Sequence, residues 1–279
     1  MLKQRIITAV FMVAIMGSAI LYLPALGFSL LMAALVLGAS WEWTTLSGLR
    51  FVSGRLAFAL STAIFMAVSV WYAKLLSADI NLQHIKDILL LGCLWWALAL
   101  LWVKTYPGSA SLWGSVFIRM LMGFLTLVPA WFAFVVLRLQ EQGVVYILLL
   151  IGLVACADTG AYFAGRKWGS AKLAPNVSPG KSWAGFWGGM ALSSVFALFI
   201  WYFYGQAVVS LAGCVVIALL TSLASVLGDL LESMVKRHRG VKDSGKILPG
   251  HGGLLDRLDS LTAAAPVFTL SLLHLSVGS

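Results

Sequence analysis

Nine apolar runs, each close to the length needed to cross a lipid bilayer, divide this chain of 279 residues. A membrane helix needs about 20 mainly apolar residues to span the hydrocarbon core. The predicted spans are residues 6–24, 26–46, 56–76, 86–103, 113–137, 143–163, 184–204, 207–230 and 259–278. The first run has no clear small-residue cleavage site, so we expect a retained helix. The pattern predicts an all-α polytopic membrane protein with about nine transmembrane helices.

Composition excludes a soluble globular protein. Hydrophobic residues make up 61% of the chain and charged residues 10%, whereas about a quarter of a soluble domain is charged. The formal net charge is +9, but the basic residues fall in short loops between apolar runs. Lipid headgroups explain that placement, so we expect membrane lipids and no nucleic acid as partners. The three cysteines have no metal-ligand spacing and are interpreted as reduced packing residues.

The distribution of basic residues predicts the orientation. Most Lys and Arg residues fall on one side if the N-terminus is cytoplasmic, and the predicted outer loops then contain only Lys74, Lys86 and Arg138. An odd number of spans places the C-terminus in the periplasm. We predict one membrane domain over residues 1–279, in which residues 1–140 are mainly scaffold spans. Residues 143–279 form the functional half, with cytoplasmic loops at 164–183 and 231–258.

Two charges lie within the scaffold spans, at Glu42 and Arg119. Snorkelling toward the membrane interface is our first interpretation of both side chains. A paired structural role is the second, and a contact with substrate is the third.

Charged residues are concentrated in residues 229–260, which hold five of the ten acidic residues and six of the nineteen basic ones. A charge in an apolar protein costs solvation free energy unless it is paired, hydrated or bound to a metal. The segment is therefore interpreted as a functional site. Aspartate oxygens suit Mg²⁺, and Lys and Arg suit phosphate oxygens. This mixture predicts a metal-bridged polyphosphate ligand on the cytoplasmic side.

The positions of the acidic residues on the two predicted helices suggest different roles for them. Asp229, Glu232 and Lys236 share one helix face because they recur at intervals of three and four. We interpret Glu232 as part of a surface ion-pair ladder and Asp229, one turn deeper, as a metal ligand. In the next helix Asp256 and Asp259 also share a face. Metal binding is favoured for Asp256, while helix capping competes with metal binding for Asp259.

A loop rich in glycine follows Arg239 and joins the two helices. Gly252 and Gly253 allow the backbone to approach a ligand and to turn N–H groups toward an anion. His251 lacks partners at zinc-ligand spacing, so we expect it to donate a hydrogen bond to phosphate or to stabilise the loop.

Two earlier segments add candidates. Asp158, near the end of the sixth span, is interpreted as functional, although an ion pair with a nearby base is the alternative. The loop SPGKSW is not a Walker A motif, since Pro175 replaces its first glycine. Ser178, Lys181 and Ser182 could still present hydroxyls and a cation to a phosphate. An ordinary basic loop explains them equally well.

The sequence SMVKRHRGVKDSGKILPGHGGLLDRLD resembles the C-terminal signature of the phosphatidate cytidylyltransferases, also called CDP-diacylglycerol synthases. The segments DTGAYFAGR and SPGKSWAGFWGG are similar to preceding blocks of that family. The resemblance covers roughly the last 120 residues, while the first half matches only in hydropathy. Ala184 stands where the family is expected to have an acid or amide, which puts one polar contact in doubt.

The resemblance implies Mg²⁺-dependent conversion of CTP and phosphatidate to CDP-diacylglycerol and pyrophosphate at a bacterial inner membrane. It also suggests a homodimer. We predict that Asp229 and Asp256 hold one or two cations and that Asp259 is a further metal ligand. The bases expected to clamp phosphates are Lys181, Lys242 and Arg257. Lys236 and Arg237 are expected to lie near the lipid headgroup. Asp158 and Asp243 are expected to supply outer hydrogen bonds or a further metal ligand.

Two other classes of function fit the hydropathy. A lipid or polyprenol kinase also needs acidic metal ligands and bases at the inner face. A transporter for a phosphorylated solute needs inverted repeats and a midplane site, and the sequence contains neither.

Overall fold

The computed structural model describes residues 2–77, 79–205, 208–245, 247 and 252–276. It consists of helices joined by short loops, with one small hairpin between the seventh and eighth helices. The elements are α1 (Leu2–Tyr22), α2 (Ala25–Ser47), α3 (Val52–Tyr72), α4 (Leu82–Lys104), α5 (Ala110–Trp113), α6 (Val116–Leu139), α7 (Gly143–Trp168), β1 (Lys172–Ala174), β2 (Ser178–Ser182), α8 (Trp183–Ile200), α9 (Leu211–Arg239) and α10 (Leu255–Leu275). A π-helical turn, Trp201–Gly205, continues α8.

The all-α polytopic prediction is confirmed. Among the described residues, eight helices are long and apolar enough to cross a membrane: α2, α3, α4, α6, α7, α8 with its π-helical turn, α9 and α10. Each of the nine predicted spans corresponds to a long helix. The first, α1, has a shorter apolar part in the described residues, Val10–Tyr22.

Local chemistry sets several helix ends. Gly240 ends α9 with a φ of 66°, in the left-handed region that a glycine adopts without a Cβ clash. The Ser182 hydroxyl caps the start of α8 by accepting a hydrogen bond from the Gly185 N–H at 3.2 Å. Asn81 caps α4 in the same way through the His84 N–H. The break predicted after Arg239 is confirmed.

Small residues form the interface between α7 and α8. A Cβ added at Gly189 would lie 2.6 Å from the Ala157 carbonyl oxygen, and one added at Gly185 would lie 2.9 Å from the Ala161 carbonyl oxygen. Real Cβ atoms do not approach so closely, so the two backbones touch only because side chains are absent. Glycines thus form the face of α8 that packs on α7.

The Gly189→Leu variant is expected to lower the thermal midpoint of the purified protein in detergent. Forcing a side chain into a filled interface costs about 1–3 kcal/mol. Gly17→Leu is the matched control, since a Cβ at Gly17 would meet nothing within 4 Å. Equal midpoints for the two variants would contradict the close packing of α7 on α8.

The topology brings the charged segments to one end of the bundle. Helix α6 is the most buried span and packs against α2, α3, α4, α7 and α10. Because successive spans alternate in direction, the α7–α8 hairpin and the α9–α10 loop lie at the same end. The last turns of α2 lie at that end as well. Residues from distant parts of the sequence can therefore form one site.

Candidate active site

An ion pair joins the hairpin to α9. The Lys181 ammonium on β2 lies 2.6 Å from Asp229 Oδ2, and it also approaches the Val226 carbonyl oxygen at 3.5 Å. The Ser233 hydroxyl donates to Asp229 Oδ1 at 3.2 Å. The Asp229 side chain is 34% exposed, so this carboxylate is accessible to a ligand.

Beside this pair lies a cavity of about 400 Å³ between α7, the hairpin and the start of α8. Asp158, Arg166, Lys181 and Ser182 contribute polar groups to its wall. Asp158 is within electrostatic range of both Lys181 and Asp229. The cavity wall therefore combines one acid, Asp158, with two bases, Arg166 and Lys181, a mixture that suits a phosphate carrying a bound cation.

A second ion cluster lies between α9 and α10. The Lys236 ammonium is 2.7 Å from Asp256 Oδ1 and 3.1 Å from Glu232 Oε1. Glu232 is only 2% exposed. Our interpretation of Glu232 as a surface residue is therefore wrong. Helical spacing identifies which residues share a face, but it does not show that α10 covers that face.

The loop before α10 wraps around the Asp256 carboxylate. The Ser244 N–H lies 3.2 Å and 3.1 Å from its two oxygens, and the Gly253 N–H donates to Oδ2 at 2.8 Å. Gly252 allows this approach with a φ of 85°. The Gly253 N–H, which we predicted to face the anion of a ligand, instead donates a hydrogen bond to the carboxylate of Asp256. His251 and Lys246 lie outside the described residues.

Asp259 faces α9. The Asp259 carbonyl oxygen packs against Gly228, and its carboxylate is within electrostatic range of Asp229. The Ser260 N–H donates to Asp259 Oδ1 at 2.8 Å. The two clusters are therefore continuous across the contact between α9 and α10.

The donor chemistry of this cluster fits a magnesium ion. Among the described residues no group of three or more His, Cys, Asp or Glu side chains is arranged to hold a metal. Mg²⁺ usually takes only one or two carboxylates and completes its shell with water and substrate phosphates. Asp229, with Asp259 beside it, has an accessible carboxylate. The Asp256 side chain is only 7% exposed, against 34% for Asp229, so Asp229 fits the ligand role better.

The other predicted residues are spread around the cavity and the loop. The Ser182 hydroxyl is buried as a helix cap, and the Arg237 Nε donates to the Val177 carbonyl oxygen at 3.3 Å, which ties α9 to the hairpin. The Lys236 ammonium is paired internally, whereas we expected it near a lipid headgroup. Three further predicted residues, Lys242, Asp243 and Arg257, are exposed, and a fourth, Ser178, is partly exposed.

Known proteins match this chain over nearly its full length. A sequence model of the cytidylyltransferase family matches residues 3–275. The chain belongs to this family. Three proteins named phosphatidate cytidylyltransferase are similar along almost their full length: one from Pseudomonas aeruginosa (43% identity over 268 residues, 96% of each chain), one from Haemophilus influenzae (38% over 283 residues, 96% of this chain and 98% of the relative) and one from Brucella suis (36% over 276 residues, 96% and 92%).

Membership of the cytidylyltransferase family extends to the first half of the chain, where we had recognised only hydropathy. The structure also corrects our first interpretation of the two charges there. Glu42 and Arg119 are buried, with exposures of 3% and 4%. Arg119 donates to the Ser47 carbonyl oxygen through Nε and Nη2 at 3.3 Å and 2.9 Å. Both side chains are buried and hydrogen-bonded within the protein, and neither snorkels.

Two contributors to the site were missed. Glu42 accepts hydrogen bonds from the α9–α10 loop, and Ser244 supplies one of them. A carboxylate at membrane depth between two tryptophans was the available signal for Glu42. Nothing in the sequence marks Ser244, because its role depends on the fold of a loop.

The Glu232→Gln variant is expected to lose less than about tenfold in rate, which corresponds to about 1.4 kcal/mol of transition-state stabilisation. Glutamine keeps the shape of the buried side chain and removes one of several like charges near Asp256 and Asp259. Lys236 keeps its shorter contact with Asp256. Steady-state kinetics of the purified variant measure this. A loss as severe as that expected at Asp229 would contradict it.

Proposed function

We propose that this protein is a membrane nucleotidyltransferase of phospholipid biosynthesis, which converts CTP and phosphatidate to CDP-diacylglycerol and pyrophosphate. The observation that supports this most strongly is its similarity, over nearly the full length, to three bacterial proteins named phosphatidate cytidylyltransferase. The cluster of acids and lysines at one end of the bundle is chemically suited to the reaction. This transferase would act in lipid metabolism.

The proposed reaction is a direct displacement. A phosphate oxygen of phosphatidate attacks the α-phosphorus of CTP, a new P–O bond forms, and the bond to the β-phosphate breaks as pyrophosphate leaves. Both reactants are anions, so charge neutralisation and alignment are the main requirements and no protein nucleophile is needed. Lys181, on the cavity wall, is placed to bind a phosphate oxygen, and Lys242 and Arg257 are further candidates.

Magnesium is the proposed cofactor. When bound, it would neutralise the CTP phosphates and the leaving pyrophosphate. Asp229 with Asp259 would hold it, and Asp256 is the candidate for a second cation. Asp158 and Asp243 are proposed as outer hydrogen-bond partners.

We further propose that the protein lies in the bacterial inner membrane with this site on the cytoplasmic side, the N-terminus in the cytoplasm and the C-terminus in the periplasm. The distribution of Lys and Arg supports that orientation. CTP is a cytosolic nucleotide, and the phosphatidate headgroup lies at the membrane surface. A homodimer belongs to the same proposal, and its mass in detergent is measured by light scattering.

The test is an incubation of the purified protein with phosphatidate, Mg²⁺ and each of the four nucleoside triphosphates in turn. We expect a liponucleotide from CTP alone, carrying label from α-labelled and not from γ-labelled nucleotide. Transfer of the γ-label would indicate a kinase and overturn the proposal. Absence of product in detergent, from protein that still transports a phosphorylated solute in vesicles, would indicate a transporter.

A further inference from the structure

The buried carboxylate of Glu42 lies far in sequence from the site and is in contact with its loop. Glu42 is on α2 and is 3% exposed. Its Oε2 accepts a hydrogen bond from the Ser244 hydroxyl at 3.1 Å, across 202 positions of the chain, and another from the Leu255 N–H at 2.8 Å. One carboxylate thus binds both the first part of the α9–α10 loop, at Ser244, and the first residue of α10.

Two glycines of the loop pack directly against this carboxylate. A Cβ added at Gly253 would lie 2.5 Å from Glu42 Oε2 and 2.7 Å from the Gly245 backbone nitrogen. A Cβ at Gly245 would overlap Glu42 Oε1. The described residues Gly245 and Gly253 therefore lie directly on the Glu42 side chain, and no larger residue fits at either position.

The same loop residues hold Asp256. The Ser244 N–H contacts both Asp256 oxygens, while the Ser244 hydroxyl is bound to Glu42. The Gly253 N–H, next to Glu42, donates to Asp256 Oδ2. Asp256 Oδ1 in turn forms an ion pair with the Lys236 ammonium at 2.7 Å. A continuous path of contacts thus runs from α2 to the ion cluster between α9 and α10.

We propose that Glu42 is a positioning residue for cytidylyl transfer, which shapes the α9–α10 loop and through it orients Asp256 and Lys236. This inference rests on the proposed function. Burying a carboxylate is costly, and among the described residues Glu42 Oε1 has no hydrogen-bond partner. The negative charge nevertheless suits the N–H group that it binds at the start of α10, because helix N-termini attract anions.

The test compares Glu42→Gln with Glu141→Gln, whose glutamate is exposed and outside the site. For Glu42→Gln we expect kcat to fall by about 10- to 100-fold, in the range of residues that orient metal ligands. The KM for CTP should change little, since the residue does not touch the nucleotide cavity. Glu141→Gln should match the parent protein.

Hydrogen–deuterium exchange supplies a readout that does not depend on activity. Peptides covering residues 241–256 should exchange faster in Glu42→Gln, while peptides of α6 and α7 and the thermal midpoint stay close to those of the parent. Ser244→Ala, which removes one donor and keeps Glu42, should shift exchange and kcat in the same direction by less. Unchanged kcat, or faster exchange spread over the whole bundle, would overturn the positioning role.

The two proposals fail in different ways. If the parent protein forms no CDP-diacylglycerol from CTP and phosphatidate, the proposed function is wrong. If the parent protein is active, and Glu42→Gln exchanges at the parent rate over residues 241–256, only the inference about Glu42 is wrong.

Discussion

Asp229→Asn is expected to lower the rate of cytidylyl transfer by about a thousandfold or more, as removal of a ligand to a catalytic cation would. Asparagine keeps the size of the side chain but loses the charge that attracts a cation and pairs with Lys181 at 2.6 Å. Because this carboxylate is partly exposed, the folded protein should be retained. Initial rates with CTP and phosphatidate, at several Mg²⁺ concentrations, measure the effect.

Asp87→Asn is the matched control for this variant. Its partly exposed carboxylate lies on α4 and accepts a hydrogen bond from Gln83, outside the ion cluster. We expect its rate and thermal midpoint to equal those of the parent protein. Rates near the parent value for Asp229→Asn would remove this residue from the metal-binding role.

Asp256→Asn is expected to abolish most of the activity and also to destabilise the protein. Its carboxylate accepts hydrogen bonds from the Ser244 and Gly253 N–H groups and from Lys236. An amide nitrogen at one oxygen position would face donors, and Lys236 would lose its nearest anion. Breaking a buried ion pair costs about 3–5 kcal/mol. The thermal midpoint in detergent should therefore fall together with the rate, in contrast to Asp229→Asn.

A double-mutant cycle with Lys236→Met tests the cause. If the ion pair accounts for the destabilisation, the double variant should be less destabilised than the sum of the two single variants. Additive losses of stability would show that the backbone hydrogen bonds of Asp256 dominate. A parent-like midpoint for Asp256→Asn would contradict the structural role given to this carboxylate.

Much of the fold follows from the hydropathy of the chain. Apolar runs of span length predicted every long helix, and Gly240 marked the end of α9, since both signals act locally. The β1–β2 hairpin was not predicted. It is short, has Pro175 in its turn and Pro179 within β2, and packs against α8 and α9. Strand pairing of that kind has no periodic signature.

Of the candidate site, the sequence predicted the charged residues but not most of their contacts. Charge at membrane depth identified Asp158 and Asp229, because an unpaired charge there is costly wherever it lies along the chain. The concentration of charge in residues 229–260 identified Asp256. The partners of those charges were mostly not identified. Whether Glu232 is buried, and which acid Lys236 contacts, depends on how α10 packs against α9. The periodicity of residues along one helix does not predict how another helix packs on it.

The hydrogen bonds from Glu42 to Ser244 and Leu255 also bear on how the chain can be divided. Residues 143–279 contain all the acids and lysines of the ion cluster, so that segment resembles a self-sufficient catalytic unit. Produced alone, it would hold every reacting group and still lack the carboxylate around which its loop folds. Truncated or chimeric versions that omit α2 should therefore be inactive, and co-expression of the missing N-terminal fragment is the direct route to restoring them.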